Sequence, residues 1–108
     1  IVTALLLVVA AANGNCNADE QTKISTMVFS EYLYYCGKKA GLNPFDISSC
    51  LVKGCHFTQQ CANCFADSGK CVVKHCMFNC VNPASDKCKS CMAKNCNAAL
   101  EACTGMSE

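Results

Sequence analysis

The spacing of apolar side chains changes three times along this chain. Residues 1–12, Ile1-Val2-Thr3-Ala4-Leu5-Leu6-Leu7-Val8-Val9-Ala10-Ala11-Ala12, are uncharged throughout. The run is too short for a helix crossing about 30 Å of hydrocarbon, which needs roughly 20 residues. It has the length of the hydrophobic region of a secretory signal peptide, with small residues at Ala10, Ala12 and Gly14 for cleavage. Residues 1–14 therefore read as a signal peptide whose start is missing, and 15–108 as a single cysteine-rich helical domain. Cleavage is expected to leave Asn13 or Asn15 as the new terminus.

From Asn17 to Gly41 the apolar positions fall at helical intervals. Ile24, Met27, Val28, Tyr32 and Tyr35 make one stripe, and Phe29, Leu33 and Cys36 make a second beside it. Asn17 or Asp19 suits the start, and Lys38 and Lys39 precede a closing Gly41, so one helix is expected here. A second begins at Asn43-Pro44-Phe45-Asp46 and ends near Gly54. Beyond it, Gly69 and Asn82-Pro83 punctuate the chain into pieces at roughly 58–67, 70–80 and 85–103. No segment alternates apolar and polar residues as a strand would. The expected fold is all-α, a small disulfide-rich bundle of about five short helices.

Cysteine usage changes the picture most. Thirteen of the 108 residues are cysteine, above the roughly 8–10% that marks a disulfide scaffold in a short secreted chain. Disulfide candidates are Cys16, Cys36, Cys50, Cys55, Cys61, Cys64, Cys71, Cys76, Cys80, Cys88, Cys91, Cys96 and Cys103. Each bridge contributes roughly 2–4 kcal/mol by restricting the unfolded chain, against a net stability of about 5–15 kcal/mol for a small domain. Bridging therefore decides whether this chain folds. An odd count leaves one thiol over, a candidate for a covalent homodimer. Cys36, at the edge of the apolar surface formed by Phe29, Tyr32 and Leu33, is the expected odd residue, with Cys16 next.

Two features organise the cysteine-dense half. Cys61-Ala62-Asn63-Cys64 returns as Cys88-Lys89-Ser90-Cys91, and each is followed by a further cysteine, Cys71 and Cys96, a weak internal repeat of 61–80 in 88–103. On one helix over 85–103, started by Ser85, the four residues Cys88, Cys91, Cys96 and Cys103 span an arc of about 140°. With Asn82-Pro83 as the turn, they should bridge to Cys61, Cys64, Cys71, Cys76 or Cys80.

Charge adds little, since nine basic and eight acidic residues leave a net +1. No basic cluster points to nucleic acid. Cys61, Cys64, Cys71 and His75 or Cys76 offer a zinc-like donor set, but the knuckle spacing matches no named finger. The Cys-x2-Cys pairs lack the βαβ setting of redox catalysts, and no Ser, His and Asp arrangement suggests a triad. No catalytic, cofactor or metal residue is assigned, and an enzyme is not expected.

The run Cys88-x2-Cys91-x4-Cys96-x6-Cys103, followed by Thr104-Gly105, resembles a cysteine module of secreted and surface proteins of microbes. The chain as a whole is similar to small secreted helical cysteine-rich proteins such as toxins and pheromones. In composition and helicity, its many thiols on short helices also resemble bacterial copper storage proteins, which rely on repeated Cys-x3-Cys pairs where this chain has one, Cys76-x3-Cys80. The expected function is a secreted, non-enzymatic interaction protein, either a receptor-directed ligand or a subunit of an extracellular assembly. Its partner would be a protein or a second copy, with no cofactor, nucleic acid or membrane span. Thiolate storage or sequestration of Cu(I) is the alternative.

Overall fold

A computed structural model describes residues 14–41, 43 and 45–106. The expected signal peptide thus lies, but for Gly14, outside the described residues. Among these residues there are six helices and no strand: α1 (Ala18–Ile24), α2 (Met27–Ala40), α3 (Phe45–Cys55), α4 (Gln59–His75), α5 (Asp86–Asn95) and α6 (Asn97–Thr104). The all-α class stands, with one helix more than expected.

Each helix start has a local cause. The Asn17 side chain accepts from the Glu20 N–H, and Glu20 accepts in turn from the Asn17 N–H, both at 2.8 Å, closing a capping box on α1. Thr26, Thr58 and Ser85 each place a hydroxyl on the N–H three residues ahead, of Phe29, Cys61 and Cys88. The Thr26 cap explains the first correction. The expected 17–41 helix is two helices, because Thr26 adopts extended backbone and restarts the chain while Ser25 closes α1.

The second correction concerns Gly69, which punctuates nothing. α4 runs through it to His75, since one interior glycine costs only about 1 kcal/mol relative to alanine. Residues 77–80 form turns instead of extending a helix. The third concerns 85–103, which breaks at Cys96 (φ −125°, ψ −33°) into α5 and α6. There the Cys96 N–H closes α5 on the Met92 carbonyl, and the Cys96 carbonyl opens α6 by accepting from Leu100.

The core is small and rich in sulfur. Phe29, Phe57 and Phe65 form an aromatic cluster, with Phe29 stacked on Phe57 (centroids 5.5 Å apart) and edge-on to Phe65 (5.2 Å). Leu51 is fully buried beside them, and the other large side chains buried as completely are all cysteines. In α2 the two stripes separate. Phe29 and Cys36 face inward with Leu33, while Met27 and Val28 are 82% and 74% exposed. Between α3 and α4, His56 takes a left-handed backbone (φ 57°) that turns Phe57 into the core.

Glu20 ties distant parts of the fold together. Its side chain is buried, and its second oxygen accepts from the Thr58 N–H at 2.6 Å and the Thr58 hydroxyl at 3.0 Å. One carboxylate therefore joins the starts of α1 and α4. Nearby, the Asn15 N–H donates to the Cys103 carbonyl (2.7 Å), and Gln21 donates to those of Thr104 and Cys16. Gly14 lies against Gly105 so closely that a Cβ on it would stand 2.7 Å from the Gly105 Cα. Only glycine permits that approach.

Candidate binding cleft

Six disulfides brace this frame: Cys16–Cys61, Cys36–Cys50, Cys64–Cys103, Cys71–Cys96, Cys76–Cys91 and Cys80–Cys88. The remaining thiol is Cys55. The expectation that Cys36 or Cys16 is the odd residue is overturned. Cys36 lies one helix away from Cys50 and pairs with it, and Cys16 is drawn to the start of α4 by the Glu20–Thr58 contact. Cys55 sits at the last position of α3, half-buried, where loss of solvent pushes its thiol pKa up and the nearby Lys23 charge pulls partly the other way. Lys23 also donates to the Cys55 carbonyl at 3.1 Å.

The last four of these bridges form a ladder. They are nested, with sequence separations of 39, 25, 15 and 8 residues. All of Cys88, Cys91, Cys96 and Cys103 bridge to the stretch 64–80, as the antiparallel arrangement requires. Seven positions separate Cys64 from Cys71 and Cys96 from Cys103, and five separate Cys71 from Cys76 and Cys91 from Cys96. The two outer intervals mirror each other, and the innermost differ by one residue, four from Cys76 to Cys80 against three from Cys88 to Cys91. An antiparallel pair needs this order, because moving forward on one arm of the helical hairpin means moving backward on the other. The direct repeat of Cys61-x2-Cys64 and Cys88-x2-Cys91 does not describe the bonding, and the mirrored intervals would have pointed to the ladder.

The ladder also bears on the metal readings. Cys61, Cys64 and Cys71 each bond to a different distant cysteine, and Cys76 bonds to Cys91, so the zinc-like knuckle is dispersed. Cys16, Glu20 and Cys61 lie close enough to share an ion. The two sulfurs, however, are bonded to each other, and the carboxylate is taken up by three donors. In this oxidised state the sulfurs are cystines, whereas Cu(I) is selected by thiolates. His56 and His75 are exposed.

Between α2, α4 and the 77–83 turn the frame leaves an open cleft of about 440 Å³. Its α4 wall is Phe65, Ser68, Gly69, Val72 and Val73, the i, i+3, i+4, i+7, i+8 positions of one helix face. The small pair Ser68-Gly69 makes the depression. Opposite, Leu33, Gly37 and Gly41 follow at intervals of four along and just past α2, again with a large residue replaced by glycines. A Cβ on Gly37 would meet nothing within 4 Å, so its missing side chain is open space. Met77, Val81 and Met92 close the far side, and Ile47 and Leu100 reach it from α3 and α6.

The rim is apolar and exposed, with Val81 at 85% and Tyr34 at 48%. A contiguous exposed apolar surface of this kind marks a ligand or partner site more often than a single exposed residue does. Lys38 is the one charged residue lining the cleft, and its ammonium lies 5.2 Å from the centre of the Tyr34 ring. At the neighbouring edge, Lys70 lies over the exposed ring of Phe45 at 4.9 Å and pairs with Asp67 at 3.8 Å.

The sequence did not expose this cleft, because Gly69 read as punctuation and nothing marked Gly37. A lone glycine inside a helical pattern, with apolar residues on the same face, was the available signal. No helix of the described residues is long and apolar enough to cross a membrane. The chain matches no protein-family model, no curated protein and no solved structure, so its reading rests on its own residues.

Proposed function

We propose that this chain is a secreted, non-enzymatic interaction protein whose disulfide-braced helices hold an apolar cleft open for a partner molecule. The observation that carries this reading is the cleft itself. Apolar side chains normally close such a gap, and here glycines keep it open on a frame cross-linked on both sides of it. Six bridges in a chain this small also support export, since disulfides persist in oxidising compartments.

The test is binding of Nile red, a neutral apolar dye, to the oxidised full chain, compared with Gly37→Trp. A Cβ at Gly37 meets nothing within 4 Å, so tryptophan there sets an indole on the cleft wall. Saturable one-to-one binding that Gly37→Trp abolishes supports the reading, and no binding to the native chain overturns it. Export is tested by intact mass and N-terminal sequencing of the secreted product, with and without reductant and metal chelator. Six bridges, one thiol, no metal and a start at Asn13 or Asn15 are expected. Several thiols with bound copper would replace this reading with the Cu(I) alternative.

A second reading, a subunit of an extracellular assembly, draws on the exposed Met27, Val28 and Phe78 away from the core. Sedimentation distinguishes it: self-association that Met27→Glu and Val28→Glu abolish favours a subunit. A covalent homodimer would have to form through Cys55.

A further inference from the structure

Charge is distributed unevenly around the cleft. Eighteen residues line it, and Lys38 alone among them is charged. Its ammonium has no carboxylate partner among the described residues and lies over the face of Tyr34. Of the nearby lysines, Lys70 is paired with Asp67, and Lys39 lies over the Tyr35 ring at 6.0 Å as Lys38 does over Tyr34, but neither lines the cleft. The site is thus an apolar trough with a single unneutralised cation.

Size narrows the occupant. The cleft holds about 440 Å³, within the roughly 300–1,000 Å³ of small-molecule sites. Two turns of a partner helix, about 11 Å long and 10–12 Å across, would occupy on the order of 1,000 Å³. A helix could therefore insert a few side chains but could not lie inside. An alkyl chain can run along the trough between the glycines of α2 and the Ser68-Gly69 depression of α4.

We propose that the cleft binds a single-chain amphiphile with an anionic headgroup, its tail against Phe65, Val72 and Leu100 and its headgroup at Lys38. This rests on the reading of the cleft as the binding site and adds the ligand class. Burial of the tail provides most of the affinity, about 0.8 kcal/mol per methylene removed from water. Lys38 selects the head. An anion gains a partner there, while a quaternary ammonium meets a like charge at the same rim.

The experiment titrates the oxidised full chain with decanoate, decanol and decyltrimethylammonium, each below its micellar range, at low and high salt. Decanoate should bind one-to-one and five- to tenfold tighter than decanol, and decyltrimethylammonium should bind weakest. High salt should narrow the gap between anion and alcohol. Lys38→Met should remove the preference for decanoate over decanol, and Lys38→Glu should reverse the order of anion and cation. Both variants should keep the native denaturation midpoint and helical circular dichroism, which shows that the fold remains intact. Gly37→Trp should abolish binding of all three. If decanoate binds no tighter than decanol, or if Lys38→Glu leaves the order unchanged, the anionic class is wrong. Retained Nile red binding would in that case leave the cleft standing as a binding site, whereas its loss in the native chain would overturn the earlier reading as well.

Discussion

Replacing Glu20 with glutamine isolates one contact on which the joint between α1 and α4 depends. The substitution preserves size and changes one carboxylate oxygen into an NH2 group. In the native chain one oxygen accepts from the Asn17 N–H at 2.8 Å, and the other accepts from the N–H and hydroxyl of Thr58 at 2.6 and 3.0 Å. However the amide turns, its NH2 must face a backbone N–H. The less costly orientation sets it toward Asn17, which is exposed and can turn to water. That orientation loses one hydrogen bond to a charged group, about 1.5–3 kcal/mol, and weakens the two on Thr58 to the neutral range of about 0.5–1.5 kcal/mol each. Neutralising a buried carboxylate removes its desolvation cost and offsets part of this. The net expectation is a destabilisation of about 2–3 kcal/mol, or roughly 30- to 140-fold in an opening equilibrium.

Because Cys16–Cys61 keeps the two segments tethered beside this contact, the loss should be local. The assay is amide hydrogen exchange on the oxidised protein at neutral pH, supported by the guanidinium midpoint. Protection should fall at Thr58 and across the first turn of α1, and should hold in α5. An unchanged midpoint together with unchanged exchange at Thr58 would refute the assignment of this carboxylate as the joint.

Other consequences follow from particular contacts. Replacing both Cys71 and Cys96 with serine opens the middle of the ladder. With the neighbouring bridges closed, the loop it spans is about a dozen residues, so the cost should be about 3 kcal/mol in a denaturant titration. Cys55 should be the one thiol titrated in denaturant, and in the native protein it should react with a disulfide reagent more slowly than free cysteine at pH 8. Its raised pKa keeps it neutral in the folded chain while the unfolded chain ionises, so this stabilisation is present below the ordinary thiol pKa of about 8.5 and is lost as pH rises through the folded value. Cys55→Ser should remove the pH dependence and suppress disulfide exchange on heating. At His56, whose φ is 57°, glycine should be tolerated within about 0.5 kcal/mol, while valine should cost about 1–2 kcal/mol by thermal denaturation.

What the sequence determined by itself was local or compositional. Asn17 and Ser85 start helices because a side-chain oxygen three residues before an N–H caps it whatever surrounds them. The helical class follows from apolar intervals, and reliance on bridges follows from the number of cysteines in a short chain. The tertiary structure decided what depends on residues far apart. Both stripes of α2 had helical spacing, and only packing against Phe57 and Phe65 chose Phe29 and Cys36 over Met27 and Val28. Cys55 became the odd thiol because pairing depends on which backbones approach, which no count of cysteines contains. Thr26 and Cys96 break their helices where the chain must turn to bring α2 onto α3 and α6 onto α4. The cleft belongs wholly to this second kind. Gly37 and Gly69 stand 32 positions apart, and their missing side chains face one space only once α3, packed against both helices, holds α2 and α4 on either side of the cleft.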